Sequence, residues 1–226
     1  MHPLDNPVWQ ALTSCQAQFA ETRHLARRFP PSVAWLGAFE EPTQAGYESL
    51  AHLLDAGEIT RLLLEAPPAP PANWAVVDDV QLFQMVHNDC EIPSPLPEII
   101  ELTEADASEM VALAELVMPG PFRRRTHELG GYLGIRRKGR LVAMAGKRLR
   151  VPGYTEISAV CTHPKYTGHG YATALIVALV NRIRNHDQTP FLHVRPGNKR
   201  AVELYQRLGF RERRRLHLTA IRKSAG

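Results

Sequence analysis

The chain has 226 residues, 44% of them hydrophobic and 22% charged, with a formal net charge of +4, which is the composition of a globular protein with room for one large or two small domains. No apolar stretch approaches the ~20 residues needed to cross a bilayer, and the opening MHPLDNPVW is not expected to act as a signal peptide. Cys15, Cys90 and Cys161 have no metal-ligand spacing and leave an odd thiol, so the expectation is a cytoplasmic protein in a reducing compartment, with no metal.

In chain order, periodicity predicts a helix from Pro7 to Arg28, a strand from Val33 to Phe39 and a helix from Thr43 to Ala56. A strand from Ile59 to Ala66 and another within AVVDDVQLFQMV follow, separated by Pro67, Pro68, Pro70 and Pro71. Alternating prolines in IPSPLP read as an extended linker over 93–97. Residues 1–92 are therefore expected to form a smaller α/β domain, with a degenerate copy of the following fold as one option, and residues 98–226 a second domain.

That second region opens with a strand from Glu98 to Thr103 and a helix over Ala107 to Val117, for which Thr103-x-x-Asp106 with Ser108 offers capping residues. A short helix is expected near Arg124 to Leu129. YLGIRRKGRLVAMAG reads as a hairpin turning at Lys138-Gly139, extended to Leu149 before the turn Pro152-Gly153. A strand ending in Cys161, a helix from Tyr171 to Asn185, the strand PFLHV, a helix from Lys199 to Leu208 and a final strand RRLHLTAIRK complete the order.

The junction between the Cys161 strand and the helix at Tyr171 carries the chemistry. Glycines between a strand end and a helix start let an anion approach backbone N–H groups that have no partner within the helix, where the helix dipole adds positive charge. Tyr171-Ala172 after Gly168-His169-Gly170 excludes a P-loop, which needs Lys-Ser/Thr there. A dinucleotide fingerprint fails on length, because too little chain follows Arg195 to complete a doubly wound sheet. Lys165-x-x-Gly168-x-Gly170 instead resembles the Arg/Gln-x-x-Gly-x-Gly/Ala signature of the GCN5-related N-acetyltransferases (GNAT), with Lys165 as a departure. The later N-x-x-A-x-x-L-Y-x-x-x-G-F motif is matched at Asn198, Ala201, Leu204, Tyr205, Gly209 and Phe210.

The resemblance implies an acyl-CoA N-acyltransferase fold, with a mixed α/β sheet, and acetyl-CoA as co-substrate. It places the cofactor on Val160, Cys161, Thr162, Lys165, Thr167, Gly168, His169, Gly170, Tyr171, Ala172 and Thr173, with Asn198 on the pantetheine arm or simply capping its helix. It assigns Glu156 as general base and Tyr205 as the acid that protonates the departing thiolate. The expected reaction is direct acetyl transfer to a primary amine of a small molecule or peptide, against the alternative of a non-catalytic acyl-CoA-binding sensor or scaffold. Direct transfer leaves Cys161 as a small buried residue. The basic clusters Arg123 to Arg125, Arg136 to Lys138 and Arg211 to Arg215 lack aromatic interleaving, which disfavours nucleic acid as a partner and leaves solvated surface or a contact to the cofactor's 3′-phosphate. A homodimer is left open.

Overall fold

The computed structural model describes residues 2–88, 98–117 and 122–224. Helix α1 (Pro7–Thr13) begins where the Asn6 side chain accepts from the Trp9 N–H and proline fills the first helical turn. It stops well short of the predicted Arg28. Beyond a 3₁₀ turn, β1 (Glu21–Arg23) and β2 (Ala26–Arg28) form a hairpin in which His24 takes a left-handed φ of 43°, and β3 (Gly37–Phe39) completes a three-stranded sheet. Helix α2 (Gln44–Ala51) is capped by Thr43.

The main sheet has eight strands. From the N-terminal region come β4 (Ile59–Leu64) and β5 (Trp74–His87); then β6 (Ile100–Leu102), β7 (Tyr132–Arg137), β8 (Arg140–Val151), β9 (Tyr154–Thr162), β10 (Thr189–Val194) and β11 (Phe210–Lys223). Their order is β4-β11-β5-β10-β9-β8-β7-β6, antiparallel except for the parallel pair β9–β10. Helices α3 (Ala107–Val117), α4 (Tyr171–Arg184) and α5 (Lys199–Arg207) alternate with the strands.

This order corrects the expected division of the chain. The predicted linker, 93–97, lies outside the described residues, as do 119–121 and Cys90. The sheet itself does not divide there, because β5 is inserted between β10 and β11, and β4 flanks the other edge of β11. The physical reason is β11: a 14-residue strand presents two rows of backbone donors and acceptors, and the earlier strands satisfy both.

Alternation along the strands sorts the two faces of the sheet. Helices α4 and α5 cover one, burying Leu175, Ile176, Leu179 and Tyr205 against Met85, Ala145, Ile157 and Leu192. The other face is covered in two patches. Helix α3 packs over Tyr132, Met144 and Cys161, while the N-terminal segment, with Leu4, Val8 and Leu12, packs over Leu149, Phe191 and Leu216.

Candidate active site

Strands β9 and β10 pair only at Thr189 with Tyr154, Pro190 with Thr155 and Phe191 with Glu156, and then separate. From Ile157 to Thr162, the side of β9 that faces β10 has no strand partner. Two bulges bend β9 and β8 at this point. In the first, Ala159 and Val160 stand opposite the single residue Ala145, and Ala159 is held at φ 52°, left-handed for a residue with a β-carbon. In the second, Arg148 and Leu149 stand opposite Glu156. Ser158, Ala159 and Val160 are half-buried; Ala159 packs against the patch under α3, and Val160 against the α4 and α5 side.

The divergence leads directly to the glycine loop. His163 donates its N–H to Val142 O at 2.8 Å, Pro164–Tyr166 makes one 3₁₀ turn, and Gly168 and Gly170 take φ values of 82° and 75°. A β-carbon on either glycine would meet no atom within 4 Å, so the loop surface is open. The first backbone bond of α4 runs from the Ala174 N–H to Gly170 O, and among the described residues the amides from Gly168 to Thr173 find no acceptor. Gly170 caps without a side chain, leaving those amides for an anion.

Lys165 and Thr167 are exposed; the Lys165 N–H donates to His163 Nδ1 and Thr167 Oγ1 donates to Pro164 O. His169 stacks on Tyr171, whose hydroxyl accepts from Arg137 Nε at 2.9 Å. The loop, Val160, Cys161 and Thr162, and the start of α4 with Ala172 and Thr173, thus form one continuous strip.

The structure surrounds the Glu156 carboxylate, the expected general base, with donors. Its carboxylate is 1% exposed. Oε1 accepts from Arg148 Nη2 at 2.6 Å and from His193 Nδ1 at 2.8 Å, while Oε2 accepts from Arg148 Nε at 2.9 Å and from the Leu149 N–H at 3.2 Å. Burial alone would raise its pKa, but the Arg148 guanidinium and the bonds from His193 and Arg148 override it and hold the pKa down to about 2. These partners hold the carboxylate in its ionised form at neutral pH.

Glu156 is instead one rung of a polar ladder across the sheet. The ionised carboxylate only accepts, so His193 carries its proton on Nδ1, and its Nε2 faces the Gln84 amide nitrogen at 3.3 Å. That nitrogen also donates to Leu4 O at 2.8 Å, and Gln84 Oε1 accepts from Arg213 Nη1 at 2.9 Å. Arg213 continues to Asp5 at 2.6 Å. Sequence reading gave no site role to Arg148, His193, Gln84, Arg213 or Asp5. The available signal was a polar residue alternating with apolar ones inside QLFQMV and PFLHV.

Tyr205 projects from α5 on the opposite face, 6.0 Å from Phe210 in an edge-to-face contact, with no hydrogen bond to its hydroxyl among the described residues. Burial pushes its pKa up to about 12, so the phenol keeps its proton at neutral pH. Burial likewise pushes the Cys161 thiol up to about 12, which makes it a poor nucleophile. Asn198 Oδ1 accepts from the Ala201 N–H at 3.2 Å, as an N-cap. The basic clusters are largely neutralised: Arg136 binds Asp106 and Glu109, Arg125 binds Glu128, and Arg214 binds Asp5 and Glu65. Among the described residues no helix is long and apolar enough to cross a membrane.

Comparison with known proteins places this architecture. Residues 132–218 match the family model described as FR47-like protein. A segment of 85 residues is 33% identical to mycothiol acetyltransferase of Acidimicrobium ferrooxidans; it covers 35% of this chain and only 27% of that protein. A GCN5-related N-acetyltransferase from Kribbella flavida shares the fold, with a TM-score of 0.61 at 17% identity over 95% of both chains. A GNAT-family crystal structure from Novosphingobium aromaticivorans matches with a TM-score of 0.91 and 36% identity over 100% of both chains. The chain belongs to the GNAT family and is one of its acetyltransferases.

Proposed function

We propose that the chain transfers the acetyl group of acetyl-CoA directly to a primary amine of a small molecule or peptide, in the cytoplasm, where Cys15 and Cys161 stay as free thiols. The observation that carries this reading is the run of partnerless amides from Gly168 to Thr173, continuous with the unpaired side of β9. The loop amides would hold the pyrophosphate, with Lys165, Thr167 and His169 at its rim. The backbone of Val160, Cys161 and Thr162, on the side of β9 that β10 leaves unpaired, would pair with the pantetheine arm and polarise the thioester carbonyl. Asn198, at the start of α5, would border the arm.

Chemistry then divides between the faces. On the α5 side, Tyr205 donates a proton to the thiolate as the carbon–sulfur bond breaks. On the Ser158 side the amine attacks the carbonyl carbon, and it must arrive neutral, because an ammonium has no lone pair. With both oxygens of Glu156 occupied, the acceptor loses its proton to solvent before attack. Glu156 keeps an anchoring role.

Tyr205→Phe tests the assignment. Turnover is expected to fall ~10²-fold or more, while acetyl-CoA affinity by calorimetry stays near wild type. Unchanged turnover would return Tyr205 to the core. The saturation of the Glu156 carboxylate by Arg148, Leu149 and His193 favours a second reading, a non-catalytic acyl-CoA sensor; a wild type that binds acetyl-CoA yet releases no thiol with any amine would establish it.

A further inference from the structure

Arg148 carries more donors than Glu156 uses. A guanidinium has five N–H groups in a planar fork, and Glu156 takes Nε and one hydrogen of Nη2. The other edge, Nη1 with the second Nη2 hydrogen, has no acceptor among the described residues. Glu156, at 1% exposure, covers the Nε side, and the Arg148 side chain as a whole keeps 21% exposure. Charge-assisted anchoring by Glu156, itself braced by His193, fixes the plane of this free edge.

Its neighbours mark it as part of a site. Because the second bulge sets Arg148 opposite Glu156, the guanidinium lies on the Ser158 face of the sheet. On the same face the Tyr132 ring lies directly over Gly146, so close that a β-carbon there would come within 2.3 Å of it. The Tyr132 hydroxyl, within electrostatic reach of Arg148 and Glu156, is buried with no hydrogen-bond partner. A buried hydroxyl without a partner is unfavourable, and a ligand oxygen beside Arg148 would be within the same polar patch.

We propose that the free edge of Arg148 binds a carboxylate carried by the acceptor, so that the substrates are amino acids or other amines bearing a carboxylate. This rests on the acetyl-transfer reading above. A fork of two parallel N–H groups matches a carboxylate in geometry. One guanidinium already balanced by Glu156 suits a monoanion rather than a dianionic phosphate. Arg148 is then a specificity-determining residue, and Glu156 and His193 are positioning residues that hold its plane.

The test pairs each of the twenty amino acids with its α-carboxamide as acetyl acceptor, with phosphoethanolamine alongside. A second arm titrates the matching N-acetyl amino acids and their amides into the protein with coenzyme A by calorimetry, so that it does not depend on turnover. For wild type the carboxylate member of the preferred pair is expected to lead by about 10-fold or more in both kcat/KM and affinity. Arg148→Lys keeps a charge for Glu156 but loses the fork, and should cut that ratio several-fold while amide acetylation persists. Equal use of acid and amide, or preference for phosphoethanolamine, would overturn the inference and leave the acetyltransferase reading standing. Selective binding of N-acetyl amino acids without any turnover would support the site and sink that reading. Neither turnover nor selective binding would overturn both.

Discussion

The two faces of the sheet present their polar groups by different means. On the α4 and α5 side, the surface is apolar and the polar work is assigned to backbone amides at the glycine loop. On the opposite side, polar and charged side chains from β8, β9, β10, β5, β11 and the N-terminal segment join into one ladder, Arg148–Glu156–His193–Gln84–Arg213–Asp5. Backbone recognition is encoded locally, by glycines between a strand and a helix. Side-chain recognition of this kind needs residues far apart in sequence to arrive in register, so it depends on the whole sheet being assembled.

The strongest way to break this contrast is to remove the anchor. Glu156→Leu leaves the half-buried Arg148 without a counter-charge, and removal of one partner of a buried pair costs up to about 3–5 kcal/mol. Chemical denaturation should show that loss with an unchanged m-value. A loss under about 1 kcal/mol would mean that Arg148 simply turns to solvent and that the ladder is decorative.

Acid probes the same residue without mutation. The ordinary pKa of 4.5 for Glu156 falls to about 2 in the folded protein. A depressed carboxylate contributes stability that is complete above pH 4.5 and is lost as pH falls toward about 2; here that is about 3 kcal/mol. Asp5, Asp106 and Glu109, also shifted down by burial-opposed or direct bonds to arginines and backbone, add to the same window. Unfolding free energy measured from pH 6 to pH 3 should therefore decline, and Glu156→Gln should flatten the decline. A slope identical in both proteins would remove Glu156 as its source.

On the other face, Gly170→Asp separates binding from folding. Open space around Gly170 accommodates the side chain, and although φ of 75° strains it, an aspartate at a helix N-terminus is otherwise favourable. Its carboxylate would compete for the amides offered to the pyrophosphate and repel that group. Acetyl-CoA affinity should fall ~10²-fold while thermal stability shifts little, since about 1 kcal/mol of strain is the order expected. Full affinity in the variant would move the anion site away from the loop.

The same contrast explains what the sequence disclosed. Helix α3, the Lys138-Gly139 turn with both residues at positive φ, the loop, α4 and α5 were all legible, because capping, turn chemistry and short motifs act over a few residues. The predicted helix from Pro7 to Arg28 failed beyond Thr13: periodicity in ETRHLARR is compatible with a helix, and only pairing of β2 with β3 decides for a hairpin. Insertion of β5 between β10 and β11 is a long-range event with no local mark. Glu156 was found as a residue of note, but its saturation by Arg148 and His193 depends on a bulge that periodicity does not show.

Asp5 gives the smallest and sharpest test of whether the ladder acts as a unit. Its carboxylate holds Arg213 at 2.6 Å and Arg214 at 3.3 Å, and both partners are partly exposed, so Asp5→Asn alone should cost about 1 kcal/mol. Arg213 also orients Gln84, whose amide faces His193, so loosening Arg213 loosens the groups that brace Glu156. Distant independent sites add; members of one network do not. In a double-mutant cycle of Asp5→Asn with His193→Gln, a coupling energy of about 0.5 kcal/mol or more is expected. Strict additivity would divide the ladder at Gln84 and leave the N-terminal segment as a cover with no influence on Arg148.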